Sequence, residues 1–465
     1  MTIWTPRLAD KGPRYRALAE AIEAAIADGE LAAGTRLPPQ RRLADALSVT
    51  VGTVTRAYAL VEQKGLVEAR VGSGTYVREA ASEASPFVPS AGSSLEEDTI
   101  DLALSLPPPS PRRQAALASA LGAIAGDGAA LDRAVNYPLG GAPAPHRNIY
   151  ARWLARLGLP VEADELLIDQ GGMNGISLAL GALLSPGERL AAEALSYPGL
   201  ISAARERDLR TVALPFDDDG IDVETLAARF DRQPFRALYL MPDHHNPTTA
   251  RLCESRREAL VALARQRDFW LIEDGVMLLP QEERGTPLYR LAPERTLFLF
   301  SVAKILGGGL RAGVMRAPPA LHERLAAVQR HQVWAPPALT ALAVDHWLAS
   351  GAADELLDWQ FEELAARESI VREQLGDFDI RLRRGGFYVW LTLPGEMRAA
   401  PLIEHLARRG VRVTPGEAFC VGSTAAPQAI RLCFSAAGSR EQLAHALEIV
   451  REALSRPAPA LWQTL

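Results

Sequence analysis

The stretch that most constrains this chain is the run Thr296-Leu297-Phe298-Leu299-Phe300, followed by Ser301-Val302-Ala303-Lys304 and Gly307-Gly308-Gly309-Leu310-Arg311-Ala312-Gly313. The apolar run has the length of a buried strand. It delivers a hydroxyl and an amine three residues apart, with a guanidinium seven residues later. A lysine at the end of such a strand sheds its proton readily and forms a Schiff base with a carbonyl compound. Ser301 and Arg311 suit a phosphate that anchors that compound, because the planar guanidinium offers several donors at once. Together they read as a pyridoxal phosphate site. Alone, S-x-x-K in a glycine-rich loop fits an exposed lysine better, so the reading depends on partners elsewhere.

Those partners come in order along an α/β alternation that begins near Asp101 and predicts a mainly parallel sheet. Leu166-Leu167-Ile168 leads into Asp169-Gln170-Gly171-Gly172-Met173-Asn174 and then a helical segment, where a glycine turn at a helix start offers backbone N–H groups to an anion. A plain tight turn fits the same residues. Tyr197 suits stacking on a flat heteroaromatic ring or a place in the core. The strand Ala237-Leu238-Tyr239-Leu240-Met241 ends in Pro242-Asp243-His244-His245-Asn246-Pro247-Thr248, placing the Asn246 amide where strand ends present ligands. His244 and His245 read as loop residues, not metal ligands, since no second ligand cluster accompanies them. Asp274, after Phe269-Trp270-Leu271-Ile272, suits pairing with a protonated ring nitrogen or capping a helix. Taken jointly, these features resemble the fold type I pyridoxal phosphate proteins, the aspartate aminotransferase class, over roughly residues 101–454. The resemblance implies that Gly172, Met173, Asn174, Ser301 and Arg311 hold the phosphate, Tyr197 stacks on the ring, Asn246 meets the ring hydroxyl, Asp274 meets the ring nitrogen and Lys304 carries the Schiff base. It also makes Arg431, in Ala429-Ile430-Arg431-Leu432-Cys433-Phe434, the candidate for an effector or substrate carboxylate, with a buried salt bridge as the alternative.

Ahead of this region the residues read as a second module. Tyr15, Leu18, Ala19, Ile22 and Ile26 recur at helical spacing, with Gly29 as a stop. Pro38-Pro39 open a second helix that closes near Leu47, and Thr50 caps a third whose buried stripe is Val54, Ala57, Tyr58 and Val61. Alternating residues around Gly72-Ser73-Gly74 signal a hairpin. Helix, helix-turn-helix and hairpin make a winged helix, which serves DNA binding or protein docking. Leu37-Pro38-Pro39-Gln40-Arg41-Arg42-Leu43-Ala44, Gly52-Thr53-Val54 with Ala57-Tyr58, and Gly72-Ser73-Gly74-Thr75-Tyr76-Val77 resemble the DNA-binding domain of GntR-type bacterial regulators. One departure is that Val51 stands where that family usually has arginine. The expected DNA-facing set is Arg36, Arg41, Arg42, Thr50, Thr53, Thr55, Arg56, Arg70 and Gly72. Residues 1–78 hold eleven Lys and Arg against eight Asp and Glu, a net +3 in a chain of −6, which leaves −9 for the rest. A basic module on an acidic body suits contact with a polyanion.

The division predicted is 1–78 winged helix, 79–100 flexible linker with a reach of ~25 Å, 101–335 large cofactor domain and 336–465 small domain. This arrangement resembles the MocR-type transcription regulators across essentially the whole chain. The resemblance implies a homodimer that binds double-stranded operator DNA and responds to pyridoxal phosphate, an amino acid or an amine. The rival is a working aminotransferase with an accessory DNA-binding domain. Cys253, Cys420 and Cys433 lack C-x-x-C spacing, and no metal site is expected. No run reaches the ~18 apolar residues of a membrane span, and no signal peptide is evident, so a cytoplasmic protein is expected. Three departures from the aminotransferase pattern point to weak or absent transamination. Gly275-Val276-Met277-Leu278 lacks the tyrosine that usually follows the ring-binding aspartate, Ala303 replaces a serine, and Thr249 replaces the glycine after Asn-Pro-Thr.

Overall fold

The computed structural model describes residues 4–6, 8, 13–27, 30–32, 34–63, 66–70, 74–77, 99–137, 144–395 and 397–455. The N-terminal module contains α1 (Arg14–Ala27), α2 (Gln40–Leu47), α3 (Val51–Gln63) and the antiparallel hairpin β1 (Val67–Arg70) and β2 (Gly74–Val77). Thr50 Oγ1 accepts the Thr53 N–H at 3.2 Å, so the hydroxyl satisfies a first-turn donor of α3. The i, i+3, i+4, i+7 stripe of Val54, Ala57, Tyr58 and Val61 is buried with Leu18, Ile22, Leu43, Val67 and Val77. Tyr58 keeps its hydroxyl satisfied by donating to the Pro38 carbonyl at 2.7 Å, which ties α3 to the turn before α2. Gly29, Gly72 and Ser73, and the segment 78–98 that includes most of the expected linker, lie outside the described residues.

After a short strand, β3 (Ile100–Asp101), the body is built on a seven-stranded sheet. Its strands are β4 (Leu166–Asp169), β5 (Arg189–Glu193), β6 (Arg210–Leu214), β7 (Ala237–Leu240), β8 (Trp270–Asp274), β9 (Thr296–Ser301) and β10 (Gly313–Arg316). The spatial order is β4-β10-β9-β8-β7-β5-β6, and only β10 runs against its neighbours. All six residues of β9 and all four of β7 are buried, because central strands of a sheet covered on both faces expose neither side. Helix α4 (Gly172–Leu183) follows β4 through Gly171, whose φ of 89° lies in the left-handed region that glycine adopts without strain.

The smaller region has a four-stranded antiparallel sheet, with helices α5 (Ala352–Leu375) and α6 (Arg440–Ser455) packed together. Its strands come from Ile380–Arg381, Val389–Thr392, Thr414–Pro415 and Ala429–Leu432. One apolar cluster joins the two regions, running from Leu180, Leu190, Ile272 and Leu299 to Leu364, Leu391, Ile430 and Leu447. The expected start of the large domain at 101 falls within a paired strand. Ile100–Asp101 form a strand paired in parallel with Val411–Arg412, and the Cys433 N–H donates to the Leu102 carbonyl at 2.8 Å. Ile100, placed in a flexible linker by composition, is therefore held by backbone bonds. Residues 100–103 pack with the C-terminal region, a pairing more than 300 positions distant in sequence that local composition does not encode.

Candidate functional site

The carboxyl ends of the parallel strands converge on one cavity of ≈ 180 Å3 lined by Gly172, Tyr197, Asn246, Asp274, Lys304 and Arg431 among others. This is where open α/β sheets bind ligands. At one end, the first turn of α4 points the N–H groups of Gly172, Met173 and Asn174 outward from the helix start. A Cβ built on Gly171 falls 3.4 Å from both Arg311 Nη2 and Ser301 Oγ, so the glycine keeps open a cradle between those donors. Arg311 donates to the Gln170 carbonyl at 3.0 Å, and Ser301 Oγ donates to the Ala312 carbonyl at 3.2 Å. Helix N–H groups, a guanidinium and a hydroxyl around one open point fit a phosphate dianion. The Asn174 side chain is occupied otherwise. Its Oδ1 accepts the Gln170 N–H at 3.0 Å and its Nδ2 donates to Gln332 at 3.2 Å, so only its backbone faces the task expected of it.

Lys304 sits in the single turn after β9, and its amine donates to the Ser105 carbonyl. Desolvation is the largest cause that lowers its pKa, to about 8, and Arg431 and Arg311 push the same way while Cys433 and Asp274 oppose them. An amine poised there is a competent nucleophile near neutrality. Asp274 is buried at the end of β8. Its Oδ1 accepts the Val276 N–H at 2.9 Å and its Oδ2 accepts the Tyr239 hydroxyl at 2.5 Å. Burial raises the Asp274 pKa, while the hydrogen bonds from Tyr239 and Val276 and the charge of Lys304 favour the carboxylate. The register pairs Tyr239 with Ile272, so Tyr239 and Asp274, two residues on, share a face of the sheet. Sequence reading missed this contact, because β7 and β8 are not known to be neighbours until the sheet order is known. Tyr239 is fully buried and does not line the cavity, so it supports Asp274 without replacing the phenol missing at Val276 and Met277.

Asn246 Oδ1 accepts Arg431 Nη1 at 2.8 Å, and since arginine has only donors this fixes the amide with its NH2 free for a ligand acceptor. Arg431 is fully buried, donates Nη2 to the Ala103 carbonyl at 2.6 Å and leaves Nε without a partner. The rings of Tyr388 and Phe419 lie 5.4 and 4.9 Å from its guanidinium carbon. No carboxylate pairs with it among the described residues, which removes the buried salt bridge that the sequence left open. An unbalanced buried cation suits an incoming carboxylate. Tyr197 lines the cavity, and a Cβ on Gly199 would lie 2.3 Å from the Tyr197 ring and 2.4 Å from Met173 Sδ, so Gly199 makes room for both side chains. Thr249 holds φ 63°, a left-handed conformation that glycine adopts without strain, and there a threonine costs ~1 kcal/mol. His245 bonds to Thr248 and to the Leu195 carbonyl, His244 packs on Tyr388, and no metal-binding group occurs among the described residues.

In the N-terminal module, Arg41 and Arg42 are exposed in the first turn of α2, and neither forms an ion pair among the described residues. Thr50 and Thr53 bond to each other at 2.9 Å, and Thr55 donates to Gln40 at 2.7 Å. Arg56 lies over the Tyr15 ring at 4.8 Å, and Arg36 lies over the Tyr76 ring at 6.0 Å, beside Gly74. The side chain of Arg70, and Gly72, lie outside the described residues. Thus Arg41, Arg42, Thr50, Thr53, Thr55 and Arg56 come together around the starts of α2 and α3.

Residues 124–450 match the family of class I and II aminotransferases, and residues 14–77 match the gntR family of bacterial regulatory proteins. The chain belongs to the class I and II aminotransferase family. With the gntR module ahead of that domain, it is an HTH-type transcriptional regulator of the GntR/MocR type. It is 29% identical to the HTH-type transcriptional regulator YdeF of Bacillus subtilis, across 97% of this chain and 96% of that protein. It is 28% identical to the HTH-type pyridoxine biosynthesis transcriptional regulator PdxR of Corynebacterium glutamicum, across 85% and 86%. Among solved structures, LysN, the alpha-aminoadipate aminotransferase of Thermus thermophilus complexed with N-(5'-phosphopyridoxyl)-L-leucine, matches with a TM-score of 0.70 and 25% identity over 80% of this chain and 95% of that one. Among the described residues of this MocR-type chain, no helix is long and apolar enough to cross a membrane.

Proposed function

We propose that this MocR-type regulator binds operator DNA as a homodimer, holds pyridoxal phosphate at Lys304, and reports the cofactor or a carboxylate-bearing amino compound to its DNA-binding module. The cofactor supplies an electrophilic carbonyl and an electron-withdrawing ring. Gly172, Met173, Asn174, Ser301 and Arg311 bind its phosphate, Tyr197 covers the ring, Asn246 donates to the ring oxygen and Asp274 accepts the ring N–H. Arg431 receives the effector carboxylate.

The observation that carries the regulatory reading is where Lys304 and Arg431 make their bonds. Lys304 donates to the Ser105 carbonyl and Arg431 to the Ala103 carbonyl, two bonds to the segment that continues directly from the expected linker. A ligand that takes the Lys304 amine and the Arg431 fork competes with that segment for both donors. Binding energy in the cavity is thereby exchanged against the position of residues 103–105, which provides differential interaction with two conformations. The name of PdxR points in the same direction, toward vitamer sensing. The domain limits at 78, 100 and 335 belong to this proposal, with the segment 100–103 that begins with the strand Ile100–Asp101 packed on the small domain.

The rival, a working aminotransferase, draws on the complete set of Lys304, Asp274, Asn246 and Arg431 around one cavity. Against it stands the missing donor at Val276 and Met277, since a loosely held ring costs rate steeply. Two measurements decide: protection of DNA beside the chain's own gene from cleavage, with and without pyridoxal phosphate, and turnover across amino donors with a keto-acid acceptor. Cofactor-dependent protection with absent or slow turnover is expected. Rapid multiple turnover by the unmodified protein overturns the regulator-first reading.

A further inference from the structure

Val51 is the first residue of α3 and is 41% exposed, one of the few large apolar side chains left in solvent among the described residues. The core of the module does not need it. Val49 and Leu47 pack against that core, and Val51 does not. Around it the polar side chains at the start of α3 already hold partners within the module. The Thr50 and Thr53 hydroxyls bond to each other, the Thr55 hydroxyl donates to Gln40 at 2.7 Å and lies 3.0 Å from the Val51 carbonyl, and Arg56 lies on Tyr15. A Cβ on Gly52 would meet only Thr50 Oγ1 at 3.8 Å, so the surface beside Val51 is open. Arg41 and Arg42, without ion pairs among the described residues, stand on α2.

In a helix-turn-helix module the N-terminal residues of the second helix approach base edges in the major groove, while cations on the preceding element meet phosphates. Guanine is read there by a bidentate Arg or Lys and adenine by Asn or Gln, and none of these occupies residues 50–55. At its first residue α3 presents a branched pair of methyl groups, whose complement on a base edge is the C5-methyl of thymine. We infer that Val51 is a specificity-determining residue that reads one thymine methyl in each operator half-site. The inference rests on the DNA-binding reading of this module. Removing a buried methyl contact weakens binding about fourfold.

The test begins with the full-length protein, loaded with pyridoxal phosphate, selecting duplexes from a random pool. Each thymine of the selected half-site is then replaced by deoxyuracil, which deletes only the methyl. One position per half-site is expected to lose about fourfold in affinity. Val51→Ala is expected to bind the thymine duplex about fourfold more weakly and to be indifferent to deoxyuracil there. Val51→Thr, which keeps one methyl, retains part of the discrimination. Arg41→Ala serves as a control that weakens thymine and deoxyuracil duplexes equally. If duplexes are enriched but no thymine position distinguishes wild type from Val51→Ala, the inference is overturned while DNA binding stands. The same holds if Val51→Ala leaves DNA affinity unchanged, which would mark Val51 as a protein-docking residue. If no duplex is enriched, both readings fall.

Discussion

At the scale of single residues, the site depends on how each polar group is already committed. Asn246 gives its oxygen to Arg431 and so keeps donors for a ligand, whereas Asp274 takes the Tyr239 hydroxyl and the Val276 N–H and so stays an acceptor set. The Lys304 pKa, lowered to about 8 chiefly by desolvation, leads to a direct prediction. A lowered pKa enlarges the neutral fraction below the ordinary range, so at pH 7 about a tenth of the amine is free, roughly 300-fold more than for a lysine at 10.5. The rate of covalent capture of pyridoxal phosphate is expected to rise with pH and to reach half its maximum near pH 8. Borohydride reduction followed by peptide mass mapping is expected to place the label on Lys304 and to find none in Lys304→Ala. A midpoint near pH 10 would contradict the desolvation argument, and a label on another lysine would sink the site.

At the scale of elements, α2 and α3 separate two tasks. The apolar stripe of α3 anchors it through Val54, Ala57, Tyr58 and Val61, while the exposed starts of α2 and α3 remain for a partner. Arg41 and Arg42 are exposed and free of ion pairs among the described residues, so they gain most from displacing phosphate counterions. Replacing either with alanine is expected to weaken binding across all sequences and to reduce the slope of log affinity against log salt by ~1. Titrations of both variants from 50 to 200 mM salt, a range chosen to span roughly the physiological value, provide the check. Slopes identical to wild type in both would make α2 a protein-docking element.

At the scale of the whole molecule, the segment from Ile100 to Leu106 links what the linker delivers to what the cavity holds. It pairs with Val411–Arg412, accepts Arg431 at Ala103 and Lys304 at Ser105, and accepts the Ser435 hydroxyl at Leu106 at 2.6 Å. Two of those bonds come from the groups that ligands would engage. Loading with pyridoxal phosphate and an amino acid is therefore expected to speed amide exchange at Ala103 and Leu106 several-fold, with the cofactor-induced part lost in Lys304→Ala. Amide hydrogen exchange with mass detection measures this. Unchanged protection across 99–106 would remove the segment from the coupling mechanism.

The sequence by itself determined the local chemistry. The β9 run and the residues after it, the glycine turn after β4, and the helical stripes of α1 and α3 each rest on neighbours within a few positions, so their patterns survive in one dimension. The family resemblance carried Asn246, Asp274 and Arg431 to the same site, and the cavity brings them together. What the sequence left undecided were contacts between distant segments. Tyr239 meets Asp274 only because β7 and β8 pair in one register, and Ile100 becomes a strand only because Val411 lies beside it. The status of Arg431 required the tertiary structure for the same reason. Whether a buried guanidinium has a counter-ion depends on every chain segment that packs around it, and here, among the described residues, those segments offer an amide oxygen, a backbone carbonyl and two aromatic rings but no carboxylate.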